Sequence, residues 1–310
     1  MGILLGLLTA LSWGSSDFLA RFTARRIGSL RTTLYMQLVG LVLLTIFLPR
    51  IGGWGHLFDG SGWQPWAWGA LAGALNGIST LSLYRSFEVG KLAVVAPLSA
   101  SYPALTVAIS VFTGEHLSVM RAAGIAFVLA GVIVVVRGEV EPDSVELDKI
   151  EPARAEPKSI TRSSPGAPQT KTASGIGAAM ISAVGFGVLF WLLGNRVVPR
   201  VGFASTVWMI RLTSSALTAL VIVAMKQPIS LRRKDNVSLW LLSMGVLDTG
   251  AFVLNNLGMQ LEQVSVVSVL ASLYGAVTVL LSTVILREKM SRWQWLGIVA
   301  IFSGIALISR

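Results

Sequence analysis

Residues 94–110 read V-V-A-P-L-S-A-S-Y-P-A-L-T-V-A-I-S, and residues 266–282 read V-V-S-V-L-A-S-L-Y-G-A-V-T-V-L-L-S. At a shift of 172, Val94, Val95, Leu98, Tyr102, Ala104, Thr106, Val107 and Ser110 fall on Val266, Val267, Leu270, Tyr274, Ala276, Thr278, Val279 and Ser282. Apolar similarity alone would pair valines and leucines, but it would rarely also hold Tyr, Thr and Ser in register. With one further residue of shift, Glu115, Ser118, Gly124, Ile125, Gly131 and Arg137 match Glu288, Ser291, Gly297, Ile298, Gly304 and Arg310. Self-similarity at a fixed period is the first signal of architecture. The chain reads as a tandem duplication.

Composition tells what is duplicated. Of 310 residues, 54% are hydrophobic and only 13% charged, and the mean hydropathy is +0.72. Soluble domains carry about 25% charged residues to keep their surface wet. The apolar residues form blocks of about 20, the length that crosses a hydrocarbon core of about 30 Å. Spans are predicted near 2–20, 32–49, 66–86, 91–113 and 119–137, then near 174–194, 203–225, 237–258, 262–286 and 292–309. Trp54, Trp63, Trp66, Trp68, Trp240, Trp293 and Trp295 lie near span ends, as interfacial aromatic belts require. The first block is expected to be retained, because Arg21, Arg25 and Arg26 follow the apolar run instead of preceding it.

Residues 138–173 interrupt this pattern with seven acidic residues, five basic ones, no aromatic and five of the eleven prolines. Such a stretch buries too little apolar surface to offset its ordering entropy, so it reads as a disordered polar linker. It separates units 1–137 and 174–310, five spans each. An odd number of spans forces the second unit to enter the membrane from the opposite side. The expected fold is therefore an all-α membrane protein, ten transmembrane helices arranged as two inverted five-helix repeats. Inverted repeats are an architecture of secondary transporters, with the substrate site near the midplane at the repeat interface.

Other classes lose their parts. There is no cysteine, and His56 and His116 both lie between spans, so neither a metal centre nor a cofactor is expected and the chain is not read as an enzyme. The net charge of +10 resides in loops rather than in a basic domain, so it points to anionic lipid and not to nucleic acid. With the linker set aside, connections after odd-numbered spans hold thirteen Lys and Arg against five on the other side. That asymmetry favours odd connections in the cytoplasm and both termini outside.

The segment from Gly90, G-K-L-A-V-V-A-P-L-S-A-S-Y-P-A-L-T, then G-E-H-L at 114–117, resembles the signature of the EamA family in the drug/metabolite transporter superfamily. Trp13-Gly14-Ser15-Ser16, and the weaker copy around Tyr274 with R-E-K-M at 287–290, fit it too. The second copy departs from the pattern at Val269 and Gly275, where the first has Pro97 and Pro103. The resemblance covers both units and implies ten helices, a plasma (inner) membrane location, and export or exchange of small metabolites. It suggests termini inside, against the charge count.

Candidate substrate-binding residues follow from what lipid does not tolerate. Ser99, Tyr102, Pro103, Thr106 and Ser110 share one helical face, which Ala271, Tyr274, Gly275, Thr278 and Ser282 repeat. A small, hydroxyl-bearing face must point at protein or a cavity. Asp248 and Arg211 lie within spans, where a charge costs about 2.5–3.5 kcal/mol or more at mid-helix and needs a partner. Asp248 reads as a proton-coupling or substrate-ammonium site and Arg211 as a carboxylate site; the alternative is an ion pair between them that holds helices together. Asn76 aligns with Asp248 in the repeat, and Asn255 lies two turns on. Asp17 is placed nearer an interface and at a different depth from Asp248, and Tyr84 and Arg85 are read as interfacial anchors. Trp191, Asn195 and Trp208 are plausible pocket walls. Gly69, Gly73 and Gly77 form a doubled G-x-x-x-G, for packing within the chain or, less favoured, between two copies.

The expected function is a secondary active transporter, working by alternating access on a small metabolite such as an amino acid, with a proton as coupling partner, as a monomer or homodimer. A passive channel or a lipid scramblase is the alternative.

Overall fold

The computed structural model describes residues 1–51, 53–90, 92–137, 169–231, 237–286 and 291–308, and the regular elements among them are all helical. The first unit contains α1 (Gly2–Ile27), α2 (Ser29–Ile51), α3 (Gln64–Val89), α4 (Leu92–Ser99), α5 (Pro103–Phe112) and α6 (Val119–Arg137), with a 3-10 turn at Gly55–Leu57. In the second, α7 (Gln169–Leu192) passes through a π-helical turn at Leu193–Val197 into α8 (Val198–Val201). Then come α9 (Phe203–Ala224), α10 (Ser238–Leu261), α11 (Val264–Ala271), α12 (Tyr274–Leu286) and α13 (Arg292–Ile308). Six stretches among the described residues are long and apolar enough to cross a membrane: Gly2–Ile27, Ser29–Ile51, Gly175–Val201, Phe203–Ala224, Ser238–Leu261 and Val264–Ile285. Most of the predicted linker (138–168), and the R-E-K-M motif, lie outside the described residues; residues 169–173 already belong to α7.

The span predicted over 91–113 is not one helix. It breaks between α4 and α5, where Pro103 brings no N–H to the ladder and the turn tightens to Ser101 N–H→Leu98 O (3.2 Å) and Tyr102 N–H→Ser99 O (3.4 Å). The second copy breaks at the matching place, between α11 and α12, through Leu273 N–H→Leu270 O and Gly275 N–H→Ser272 O, both 3.2 Å. No proline stands there, so the break belongs to the architecture and not to Pro103 alone.

Each broken helix is gripped by a helix of the other unit. α1 packs along α12, and a Cβ on Gly14 would lie 2.9 Å from the Tyr274 carbonyl; the Thr278 hydroxyl donates to the Gly14 carbonyl at 3.2 Å. α7 packs along α5, a Cβ on Gly187 would lie 2.9 Å from the Tyr102 carbonyl, and Thr106 donates to the Gly187 carbonyl at 2.9 Å. Gly14 and Gly187 are the same position of the repeat, as are Thr278 and Thr106. These glycines are present because helix backbones meet there.

α3 lies on α9 through its G-x-x-x-G rows: a Cβ on Gly69 would strike Met209 and one on Gly73 would strike Thr213. The motif is therefore occupied within the chain. α6 and α13 pack in the same manner, with Gly304 against the Gly124 carbonyl. Outward faces carry exposed apolar side chains such as Leu4, Leu8, Leu11, Phe127, Leu220 and Val223, which suit a lipid solvent. Polar groups turn inward.

Candidate functional site: a buried cavity between the two units

Where α1 and α3 meet α7, α10 and α12, the helices leave a cavity lined by Trp13, Asp17, Thr80, Leu83, Tyr84, Phe186, Phe190, Asp248, Phe252 and Tyr274. It is narrow, giving a water molecule's centre about 20 Å³, room for one or two waters. Its wall is an aromatic cluster. The Trp13 ring stands 5.0 Å from Phe252, 5.4 Å from Phe190 and 6.1 Å from Tyr274, centroid to centroid. Phe186 stacks on Phe190 at 5.7 Å, and Tyr102 supports the wall from behind, stacked on Tyr274 at 6.4 Å and 4.7 Å from Phe190.

The two tyrosines that head the repeated stripe end up differently. The Tyr102 hydroxyl donates to the Ser268 carbonyl at 2.9 Å, tying the first break to the second. The Tyr274 hydroxyl is buried and has no hydrogen-bond partner, although its ring lines the cavity. Duplication placed both residues, and only one has its hydroxyl engaged by protein.

Asp248 sits mid-way along α10, and Arg211 of α9 pairs with it at 2.7 Å. Arg211 is fully buried, also donates to Gln37 Oε1 of α2 at 2.7 Å, and lies 4.9 Å above the Phe252 ring. The indole of Trp13 is within hydrogen-bonding reach of the same carboxylate. The ion pair raised as the alternative role is thus formed. Arg211 faces α2 and α10 and does not line the cavity, so it is not placed to meet a substrate carboxylate.

Several expectations are corrected. Asp17 does not reach an interface: it is buried, 4% exposed, and shares the cavity with Asp248. Tyr84 is no interfacial anchor either, being 1% exposed with Ser16 in hydrogen-bonding reach of its hydroxyl. Trp191, Asn195 and Trp208 do not line the cavity: the Trp191 N–H donates to Thr113, the Trp208 N–H to Thr45, and the Asn195 amide to the Trp191 carbonyl. Of the eight predicted residues, Asp248 and Tyr274 line the cavity and Tyr102 and Arg211 buttress it. Asn76 donates to Ser214, Thr106 to Gly187, Asn255 to the Met259 sulfur, and Ser99 is buried near the break; none of the four lines the cavity. The residues missed also pair in the repeat, Thr80 with Phe252 and, at one more residue of shift, Trp13 with Phe186, but that pairing alone marks none of them as lining a cavity.

One mouth of the bundle is crossed by polar contacts between the units. Arg121, at the start of α6, bridges to Glu262 at 2.9 Å and bonds Gln263 at 2.7 Å, between α10 and α11. The Gln263 amide donates to the His116 carbonyl at 2.9 Å, and Ser265 hydrogen-bonds to Glu115. Burial pushes the Glu262 carboxyl up, but the Gln263 N–H and Arg121 outweigh it and hold it below the ordinary glutamate value. At the opposite end Arg25 donates to the Gly90 carbonyl at 2.9 Å and Glu88 accepts from the Ser29 N–H at 3.1 Å, all inside the first unit.

The model of the EamA-like transporter family matches residues 1–137 and again residues 173–310. The chain belongs to the EamA-like transporter family. That family is part of the drug/metabolite transporter superfamily, and the double match falls on the two units that the repeat defines. Two relatives are each 30% identical. One is an uncharacterized protein of Methanocaldococcus jannaschii, MJ1333.1, aligned over 132 residues, 42% of this chain and 93% of its own length. The other, from Sinorhizobium sp, is named an uncharacterized transporter in a cobO 3' region and aligns over 128 residues, 41% of this chain and 90% of its own length. Both relatives are close to one unit long. A solved crystal structure, 22% identical, shares the fold with a TM-score of 0.67 over 99% of this chain and 95% of that chain.

Proposed function

We propose that this protein is a secondary active transporter of the plasma membrane, an exporter or exchanger of small amphipathic metabolites. Ten spans, built as two inverted units of five joined by the polar linker, alternate in opening the central cavity to either side. Both broken helices are counted here as single spans, and odd-numbered connections face the cytoplasm by their excess of Lys and Arg.

The observation that carries this reading is the cavity itself: a buried, aromatic-walled pocket with two carboxylates, at the contact between the units and beside both helix breaks. Discontinuous helices and ionisable groups at membrane depth mark substrate or ion pathways in transporters. The polar bridge of Arg121 to Glu262 at one mouth supplies a contact that one state makes and the other releases. The test is counterflow in proteoliposomes preloaded with single metabolites. Saturable uptake accelerated by the same solute inside the vesicle is the expected result. A passive channel would give flux without trans-stimulation, and a scramblase would move lipid without solute.

A further inference from the structure

The cavity holds more negative than positive charge, and this bears on what it binds. Two carboxylates, Asp17 and Asp248, line it, and among the described residues no lysine or arginine does. Asp248 is already matched by Arg211 at 2.7 Å. Among the described residues no ion pair is formed by Asp17, which is 4% exposed. The charged and titratable groups around it are Asp248 on α10 with Arg211 behind it on α9, Tyr84 on α3 and Tyr274 on α12. Among the described residues α7 presents Phe186 and Phe190 to the cavity. A buried carboxylate without a counter-ion is costly and must take a proton or a cation.

Two further features point to the cation's chemistry. Trp13, Tyr84, Phe190, Phe252 and Tyr274 enclose the space beside Asp17, and aromatic faces attract an ammonium where water is excluded. The Tyr274 ring lines the same space, and its buried hydroxyl has no hydrogen-bond partner among the described residues, while its repeat counterpart on Tyr102 is engaged by Ser268. An acceptor is thus left over for a substrate N–H. A substrate carboxylate would find no cation, since Arg211 is held by Asp248 and Gln37 outside the wall.

Resting on the transporter reading, we infer that the cavity, which holds one or two waters in this closed arrangement and widens as the units part, takes a monovalent organic cation, an amine without a carboxylate, which exchanges with a proton on Asp17. The balance is one for one. The arriving ammonium displaces the proton bound to the Asp17 carboxyl, which leaves to water. On the other side of the membrane a proton returns to Asp17 as the ammonium departs. The cavity's charge is the same before and after each exchange.

Three near-isosteric probes separate the possibilities: phenethylamine as cation, phenylalanine as zwitterion and 3-phenylpropionate as anion. Binding to the full-length protein in detergent, read by calorimetry, is expected for phenethylamine. The other two should bind at least about tenfold more weakly, since each would bury an unmatched carboxylate. Phenethylamine affinity should rise by up to about tenfold per pH unit while Asp17 is protonated in the free protein. Asp17→Asn should abolish both the binding and its pH dependence, and Asp17→Glu, which keeps the carboxylate, should restore them. Tighter binding of phenylalanine or 3-phenylpropionate, no binding of any probe, or phenethylamine binding that survives in a folded Asp17→Asn overturns the inference. Amine binding without counterflow of any solute would instead remove the transporter reading and leave the cation site standing. Counterflow of another solute without amine binding would do the reverse.

Discussion

Removing Arg211 tests how the charges inside the bundle are held. The guanidinium is fully buried and supplies two acceptors, Asp248 at 2.7 Å and Gln37 at 2.7 Å. Its partner is buried too, so solvent screening discounts little of the interaction. Breaking a buried pair by deleting one side costs about 3–5 kcal/mol, because the remaining charge keeps its desolvation penalty. Arg211→Met strands both Asp248 and Gln37, so its cost belongs at the upper end of that range. Asp248→Leu strands Arg211, which keeps Gln37 and the Phe252 face, and the neutral Trp13 N–H, and belongs at the lower end. Replacing both partners with apolar groups should be far cheaper than the sum. It leaves the Gln37 amide oxygen and the Trp13 N–H as the main deficits, about 1–3 kcal/mol each. Unfolding of the four proteins by SDS titration from mixed micelles gives the cycle. Additive costs, or single variants within about 1 kcal/mol of the parent, would show that the pair does not bear the load assigned to it.

Further expectations rest on single contacts. Gly40→Ala places a Cβ 2.9 Å from Arg211 Nε and against the Thr249 hydroxyl, so it should cut transport by disturbing the ion pair; Gly250→Ala, on α10 with nothing within 4 Å of its Cβ, should do neither. Gly14→Ala and Gly187→Ala wedge equivalent contacts at the two breaks and should both lower counterflow rate more than melting temperature. Glu262 is held below the ordinary glutamate value by Gln263 and Arg121 against burial. The stability its ionised form gives is therefore complete above that ordinary value and lost as pH falls through the lowered one. The difference in melting temperature between Glu262→Gln and the parent should stay constant near pH 7 and shrink below about pH 4.

The repeat made much of this molecule legible beforehand. Matching Tyr102 with Tyr274 and Thr106 with Thr278 foretold two helices in equivalent settings, and both now sit at breaks gripped by Gly187 and Gly14. The breaks themselves were legible only at Pro103, because Gly275 carries no comparable constraint on its backbone. Asp248 stood out as a charge in mid-span. Asp17 and Tyr84 did not, because a single helix shows how far a residue lies from its end and not where the helix end lies in the bilayer. Whether Arg211 faced substrate or Asp248 depended on how α9 and α10 are turned toward each other, a matter of packing that one sequence does not encode locally. The aromatic wall was hidden for the same reason, since Phe186, Phe190 and Phe252 look like ordinary apolar positions until three helices converge.

The chain has no cysteine, so one introduced thiol reports alone on access to the cavity. The most direct test places it at Thr80, in the cavity wall, and labels it with a membrane-impermeant maleimide from either face of oriented vesicles. Alternating access predicts labelling from both faces. It also predicts that a bifunctional thiol reagent joining cysteines at positions 121 and 262 stops labelling from the bridged face while labelling from the other persists. Labelling from one face only, with or without that bridge, would contradict it.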